Sequence, residues 1–214
     1  MKKLIAIGLL AAIAIVGVAY VAFSDPLANT TAANTTDAKE VTKEEGKELK
    51  IDQGNSSIKF LGAKVTAQHP GGFKKFSGKA VIEGDTLKQV EIDVDMDSIW
   101  TDKEDEDNAK LTGHLKTADF FDVPNHPTAK FITTELKSGV AEGQKGTHTV
   151  TGNFKLRGTT KSISFPATIS LKDGKLEVDA DFKINRQDWK VSFAGMQDDL
   201  IKDEVGLTLK VRAS

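Results

Sequence analysis

The chain has 214 residues, room for one ordinary domain or for a domain plus a tail. It is 39% hydrophobic and 28% charged, enough to bury a core, and with 29 Lys+Arg against 31 Asp+Glu it has no basic excess to neutralise phosphates, which argues against a nucleic-acid partner. It contains no cysteine, which excludes disulfides, thiolate metal sites, iron–sulfur clusters, a cysteine nucleophile and an acylated Cys behind a leader.

Lys2 and Lys3 precede an unbroken apolar stretch from Leu4 to Phe23. As a helix this stretch would be about 30 Å long, the thickness of a bilayer core. A positive start before such a run predicts an N-terminal hydrophobic helix, with the remainder of the chain exported to the periplasm or the exterior. Residues 1–24 read either as a cleaved signal peptide or as a membrane anchor. The best small-residue cleavage site, Gly17-Val18-Ala19, lies inside the run itself. Residues 25–47 are rich in Asn, Thr, Lys and Glu, with Leu27 and Val41 as the only apolar residues larger than Ala. Too little apolar surface is present to offset ordering entropy, so the segment is predicted to be a flexible linker.

From residue 48 onward the dominant period is two. Apolar side chains alternate with polar ones at Ile58 and Phe60, at Ala80 and Ile82, and at Val90, Ile92, Val94 and Met96. Phe131 with Thr133 is a weaker run, followed by Val150, Gly152, Phe154 and Leu156. Ile163, Phe165, Ala167, Ile169 and Leu171 come next, then Leu176 through Ile184, then Val205 through Val211. Each run has one apolar and one water-facing side, the pattern of antiparallel sheet. Turn signals separate them at Glu83-Gly84-Asp85, between Gly143 and Gly146, and at Asp173-Gly174, the last a two-residue hairpin signal. Roughly eight strands with short turns suit a barrel or a sandwich. Pro166 cannot donate to a ladder and is expected at an edge or a bulge.

One stretch breaks the alternation. Thr101 and Glu104 fit a capping box, the acidic residues after Thr101 suit a helix N-terminus, and Leu111 and Leu115 lie one turn apart. A helix is predicted from Asp102 to Lys116, followed by a turn to Pro127 with Phe120, Phe121 and Val123 facing inward.

Recognisable catalytic chemistry is thin. His69, His114, His126 and His148 have no metal-pair spacing, and the acidic run after Thr101 lacks the glycine an EF-hand needs, having Asp107 in that place. No metal or cofactor is predicted. No nucleophile elbow or phosphate loop is present, and Gly71-Gly72 beside Pro70 reads as a turn. By parity the inward set includes Ile92, Val94, Phe154, Phe165, Phe182 and Ile184, which would line a ligand cavity or simply fill the core. Arg186 suits an anionic ligand head and Trp189 the cover of an apolar mouth; the plainer expectation is an Arg186–Asp188 ion pair and a packed indole.

Several segments resemble the YceI-like family. They are Ser57 to Phe60 with Gly72 to Gly78, Leu111 to Val123 with Pro127-Thr128 and Phe131, Phe182 to Arg186, and Asp203 to Leu207. The resemblance covers about Leu49 to Ala213. It implies an all-β fold, an eight-stranded antiparallel lipocalin-like barrel with a helical insertion. It also implies a carrier of long amphiphiles such as polyisoprenoids, isoprenoid quinones or fatty-acid derivatives, with homodimers in some members and no agreed catalytic residues. The expected function is therefore non-enzymatic binding of a long isoprenoid or acyl lipid. The alternatives are a hydrolase of such lipids using His114 or Arg186, or a filled barrel serving as an interaction module.

Overall fold

The structure, a computed structural model, describes residues 25–104, 106–196 and 199–214. The predicted hydrophobic helix of residues 4–23 lies outside the described residues. Among those that are described, no helix is long and apolar enough to cross a membrane.

The fold is all-β with one short α-helix. In chain order the strands are β1 (Asn34–Asp37), β2 (Lys47–Lys50), β3 (Ser57–Ala63), β4 (Gln68–Phe73), β5 (Phe76–Glu83), β6 (Thr86–Asp95) and β7 (Ile99–Thr101). Helix α1 (Ala109–Leu115) follows, then β8 (Thr128–Ser138), β9 (His148–Leu156), β10 (Thr159–Lys172) and β11 (Lys175–Asn185). The chain ends with the small β12 (Gly195–Met196) and β13 (Asp199–Leu200) pair and β14 (Glu204–Ala213). One antiparallel sheet of 12 strands runs β2-β5-β6-β8-β9-β10-β11-β14-β3-β4-β7, with β1 added to β10, and curls into a half-barrel. The expected count of eight is too low. All eight periodic runs are strands, but β1, β2, β4 and β7 are between three and six residues long, too short to display a period of two. At one end the β2 edge curls round to meet β14: Asp52 N donates to Arg212 O (2.8 Å), and Lys50 and Ser214 exchange backbone bonds.

Alternation does what parity predicts. Val90, Ile92, Val94, Leu176, Ala180, Phe182 and Ile184 are buried, whereas Glu177 and Asp181 face water. Phe165 of β10 and Phe182 of β11 stack with ring centroids 4.0 Å apart. The Asp173-Gly174 hairpin forms as predicted, with φ of 51° and 69°, the left-handed pair a type I′ turn requires. Gly71 and Gly72 are not a turn. They lie inside β4, where a Cβ on Gly71 would be 2.2 Å from Phe60 Cζ and one on Gly72 2.9 Å from Trp100 Cζ2. These glycines are landing sites for two aromatic rings.

Part of the segment read as a linker pairs with the sheet. Ala33 N donates to Lys183 O and Lys183 N to Thr31 O, each 2.8 Å, while Asn34–Asp37 pair with Lys161–Ser164 of β10. Residues 31–37 therefore wedge between β10 and β11, which are paired only from Thr168 and Asp179 outward. Pro166, buried in mid-strand, sits where the two strands part. It has no N–H to offer β11, so the split begins where the ladder would be weakest. Beyond β1 the chain crosses the outer face of the sheet. Asn153 of β9 accepts from Lys39 N (2.9 Å) and donates to Lys39 O (2.7 Å), and Gln89 of β6 donates to Thr42 O (2.8 Å). This segment is held by backbone polar groups, so its lack of apolar residues did not betray it.

Ser162, 1% exposed opposite Thr36, has a hydroxyl with no hydrogen-bond partner. Removing an unsatisfied buried hydroxyl relieves a desolvation penalty, so Ser162→Ala is expected to raise stability by up to about 1 kcal/mol in urea titration. A loss of that size would mean the hydroxyl is bonded in solution.

Candidate functional site

The curled sheet encloses an apolar cavity of about 310 Å³, at the lower end of the roughly 300–1,000 Å³ typical of small-molecule pockets. Its walls include residues of β3, β6, β8, β9, β10, β11 and β14, among them Ile58, Ile92, Phe131, Leu156, Ile163 and Leu207. Leu111 and Leu115 of α1 and Phe120 and Phe121 of the following turn cover it from one side. The interior is not plugged by its own side chains.

All six aliphatic and phenyl residues picked by parity, Ile92, Val94, Phe154, Phe165, Phe182 and Ile184, border this cavity. Arg186 also borders it, but four of its five N–H donors are occupied. Nε donates to Lys202 O (3.1 Å), Nη1 to Val191 O, and Nη2 to Ile201 O (3.3 Å) and to Asp203 Oδ1 (3.0 Å). Its acidic partner is Asp203, not Asp188. At 6% exposure Arg186 acts as a clasp that ties Val191 and residues 201–203 to the end of β11, and burial pulls its pKa below the usual arginine value. Trp189 does not cover a mouth. It is 0% exposed, packs on Phe154 and donates from Nε1 to Phe154 O (3.0 Å), behind the cavity wall. His114 does not border the cavity: it lies 3.1 Å from Asp119 Oδ2 and its ring packs edge-on against Phe120 and Phe193. Among the described residues no cluster of His, Asp and Glu could hold a metal.

The cover is built differently from its sequence signal. The helix begins at Ala109, not Asp102, and its N-cap is Asn108, which accepts from Leu111 N (3.2 Å). The acidic residues are spent on a knot instead. Asp102, at φ 68°, lies 2.9 Å from His69 Nδ1 and accepts from Asn108 Nδ2 (2.8 Å). Asp107 accepts from Thr101 N (2.8 Å) and from Thr112 Oγ1 (2.6 Å), which ties α1 to the end of β7. Both carboxyls feel burial, which raises their pKa, yet the hydrogen bonds from Asn108 and His69 on one and Thr112 and Thr101 on the other outweigh it, and both lie below the ordinary value. A depressed folded pKa contributes stability above the unfolded value of about 4, which is lost as pH falls through the folded value. Acidification below about pH 4 is therefore expected to loosen the cover, read as a red shift in emission from the adjacent buried Trp100. Emission unchanged to about pH 2 would count against this linkage.

Parity alone also marks Val205, Leu207 and Leu209 of β14 as wall residues, because their alternation is plain. Nothing local marks the mouth residues Lys64, His69, Ile201 and Lys202, which sit at strand ends and in irregular backbone.

A family model described as YceI-like domain matches residues 49–213. A UPF0312 protein of Pseudomonas putida is 36% identical over 102 residues, 47% of this chain and 48% of that protein. A UPF0312 protein of Pectobacterium carotovorum is 30% identical over 99 residues, 46% of this chain and 47% of that protein. The alignments thus span about half the length of these relatives. Among solved structures, Burkholderia cenocepacia BcnA is similar with a TM-score of 0.62 at 20% identity, over 77% of this chain and 99% of that one. A structure described as a polyisoprenoid binding domain from Saccharophagus degradans has a TM-score of 0.60 at 14% identity, over 78% and 97% of the two chains.

Proposed function

Because this chain belongs to the YceI-like family, we propose that it is an exported binding protein that shelters one long-chain amphiphile, a polyisoprenoid, isoprenoid quinone or fatty-acid derivative, inside the curled sheet. The observation that carries this reading is the apolar cavity walled by residues of seven long strands and left unfilled. A solved relative in fold is described as polyisoprenoid-binding, which supports the same class of cargo. In this reading the eight long strands act as a lipocalin-like wall, and residues 50–52 bonding to 212–214 help to close it.

Shielding an alkyl or prenyl chain supplies the affinity, at about 0.8 kcal/mol per buried CH₂. A chain of about fifteen carbons gains enough to exceed the lower estimates of association cost and still bind in the micromolar range or tighter. Four of the five Arg186 N–H donors are taken by three backbone carbonyls and Asp203, so in this reading the polar head stays at the mouth. The test is purification of the full-length protein from membranes, lipid extraction and mass spectrometry. A single amphiphile near equimolar with protein is expected. Extracts without one, combined with no uptake of polyprenyl, quinone or acyl probes, would overturn the carrier reading.

A further inference from the structure

Among the described residues three large hydrophobic side chains are exposed: Val41, Val65 and Leu200. Two of them are neighbours. Val65 N donates to Leu200 O (3.1 Å), which places side chains 60% and 50% exposed together at one tip. The residues next to them, Lys64, Ile201 and Lys202, border the cavity, so the apolar pair stands immediately outside its mouth. The N-terminal segment reaches the fold at the same place. Asp25 is 3.2 Å from Lys202 Nζ, and Leu27 is buried. Only Ser24 separates Asp25 from the apolar run ending at Phe23. Residue 23 is two steps from Asp25 along the chain, a covalent reach of at most about 7 Å at about 3.6 Å per residue, and the chain after Asp25 is fixed to the sheet.

We propose that the rim carrying Val65 and Leu200 is a membrane-docking surface, resting on the bilayer that holds residues 4–23, so that an amphiphile passes between bilayer and cavity without crossing water. This deepens the carrier reading and rests on it for its purpose. A lipid surface is the occupant the observations favour. An apolar run of bilayer length ends one residue away, and two exposed aliphatic side chains beside lysines suit the boundary between head groups and acyl chains. Lys202 is already paired with Asp25, so the contact is mainly apolar and should weaken little with salt.

The absence of cysteine makes a single introduced thiol a unique label. Full-length protein carrying Val65→Cys, Leu200→Cys or Asp173→Cys, each labelled with an environment-sensitive NBD dye, is reconstituted into phosphatidylcholine–phosphatidylglycerol vesicles. Asp173 is the control, at the far end of β11 from Ile184 and the mouth. Dye at positions 65 and 200 should brighten severalfold and be quenched by spin-labelled lipid, and dye at 173 should do neither. Positions 65 and 200 behaving like 173 would overturn the proposal. So would shielding from water without quenching by lipid, or cross-linking between copies, either of which assigns the rim to a protein. Val65→Asp with Leu200→Asp should slow transfer of a fluorescent fatty acid from vesicles severalfold, and an unchanged rate counts against docking. Lipid extraction of the same preparations separates the two readings: cargo without docking sinks this proposal alone, and docking without cargo sinks the carrier alone.

Discussion

Replacing Arg186 with Met is expected to cost the fold about 3–5 kcal/mol, measured as the fall in unfolding free energy in urea. Methionine matches much of the volume, so the effect isolates the guanidinium. Three backbone carbonyls, those of Val191, Ile201 and Lys202, receive charged donors from this one side chain. Bonds from a charged donor are worth more than neutral ones, and carbonyls left without partners in a half-buried stretch lose them outright. The ion pair itself is the smaller part. Asp203 is 51% exposed, so Asp203→Asn should cost no more than about 1 kcal/mol. If the two substitutions proved equal, the clasp would be an ordinary surface salt bridge. Because the clasped residues include Ile201 and Lys202 at the mouth, Arg186→Met should also raise the rate at which bound lipid escapes.

The second large effect is loss of cargo in Val94→Arg. Val94 is 8% exposed, lies on the inward face of β6 opposite Ala129 of β8, and borders the cavity. A guanidinium there either occupies the space of the lipid tail or draws water into it. Losing the burial of about four CH₂ groups weakens binding by about 100-fold or more. Mass spectrometry of the extracted protein should then find no equimolar amphiphile, with circular dichroism confirming the sheet. Should the charge prevent folding, Leu209→Trp serves as the second variant: it adds bulk without charge at a half-buried wall position and should reduce capacity in a folded protein. Undiminished lipid in a folded Val94→Arg would mean that the cavity is not where the lipid sits.

Much of the wall was legible in the sequence because parity is a local property. A strand with one dry face must alternate, and the runs at Val90, Leu176 and Val205 do so without reference to any other part of the chain. The misreadings share a different physics. The carboxylates of Asp102 and Asp107 look like a helix start, but they bind His69, Thr101 and Thr112, and the first is more than thirty positions away from its partner. Arg186 looks like a ligand contact because its carbonyl partners lie in backbone with no period at all. The segment 25–47 looks unstructured because it is judged by its side chains, whereas strand pairing and two amides, Asn153 and Gln89, hold it in place. These three misreadings turn on polar contacts, which carry no period in the sequence.

The wedge at residues 31–37 also bears on how the protein can be handled. The family match begins at residue 49, so a fragment trimmed to it would leave out the wedge. Lys161 to Ser164 would then present bare amide and carbonyl groups along an open slot. Such a slot is a template for a strand donated by another molecule, and the trimmed material should chain together into swapped oligomers or precipitate. Recombinant versions that begin ahead of Leu27 keep the slot occupied from within.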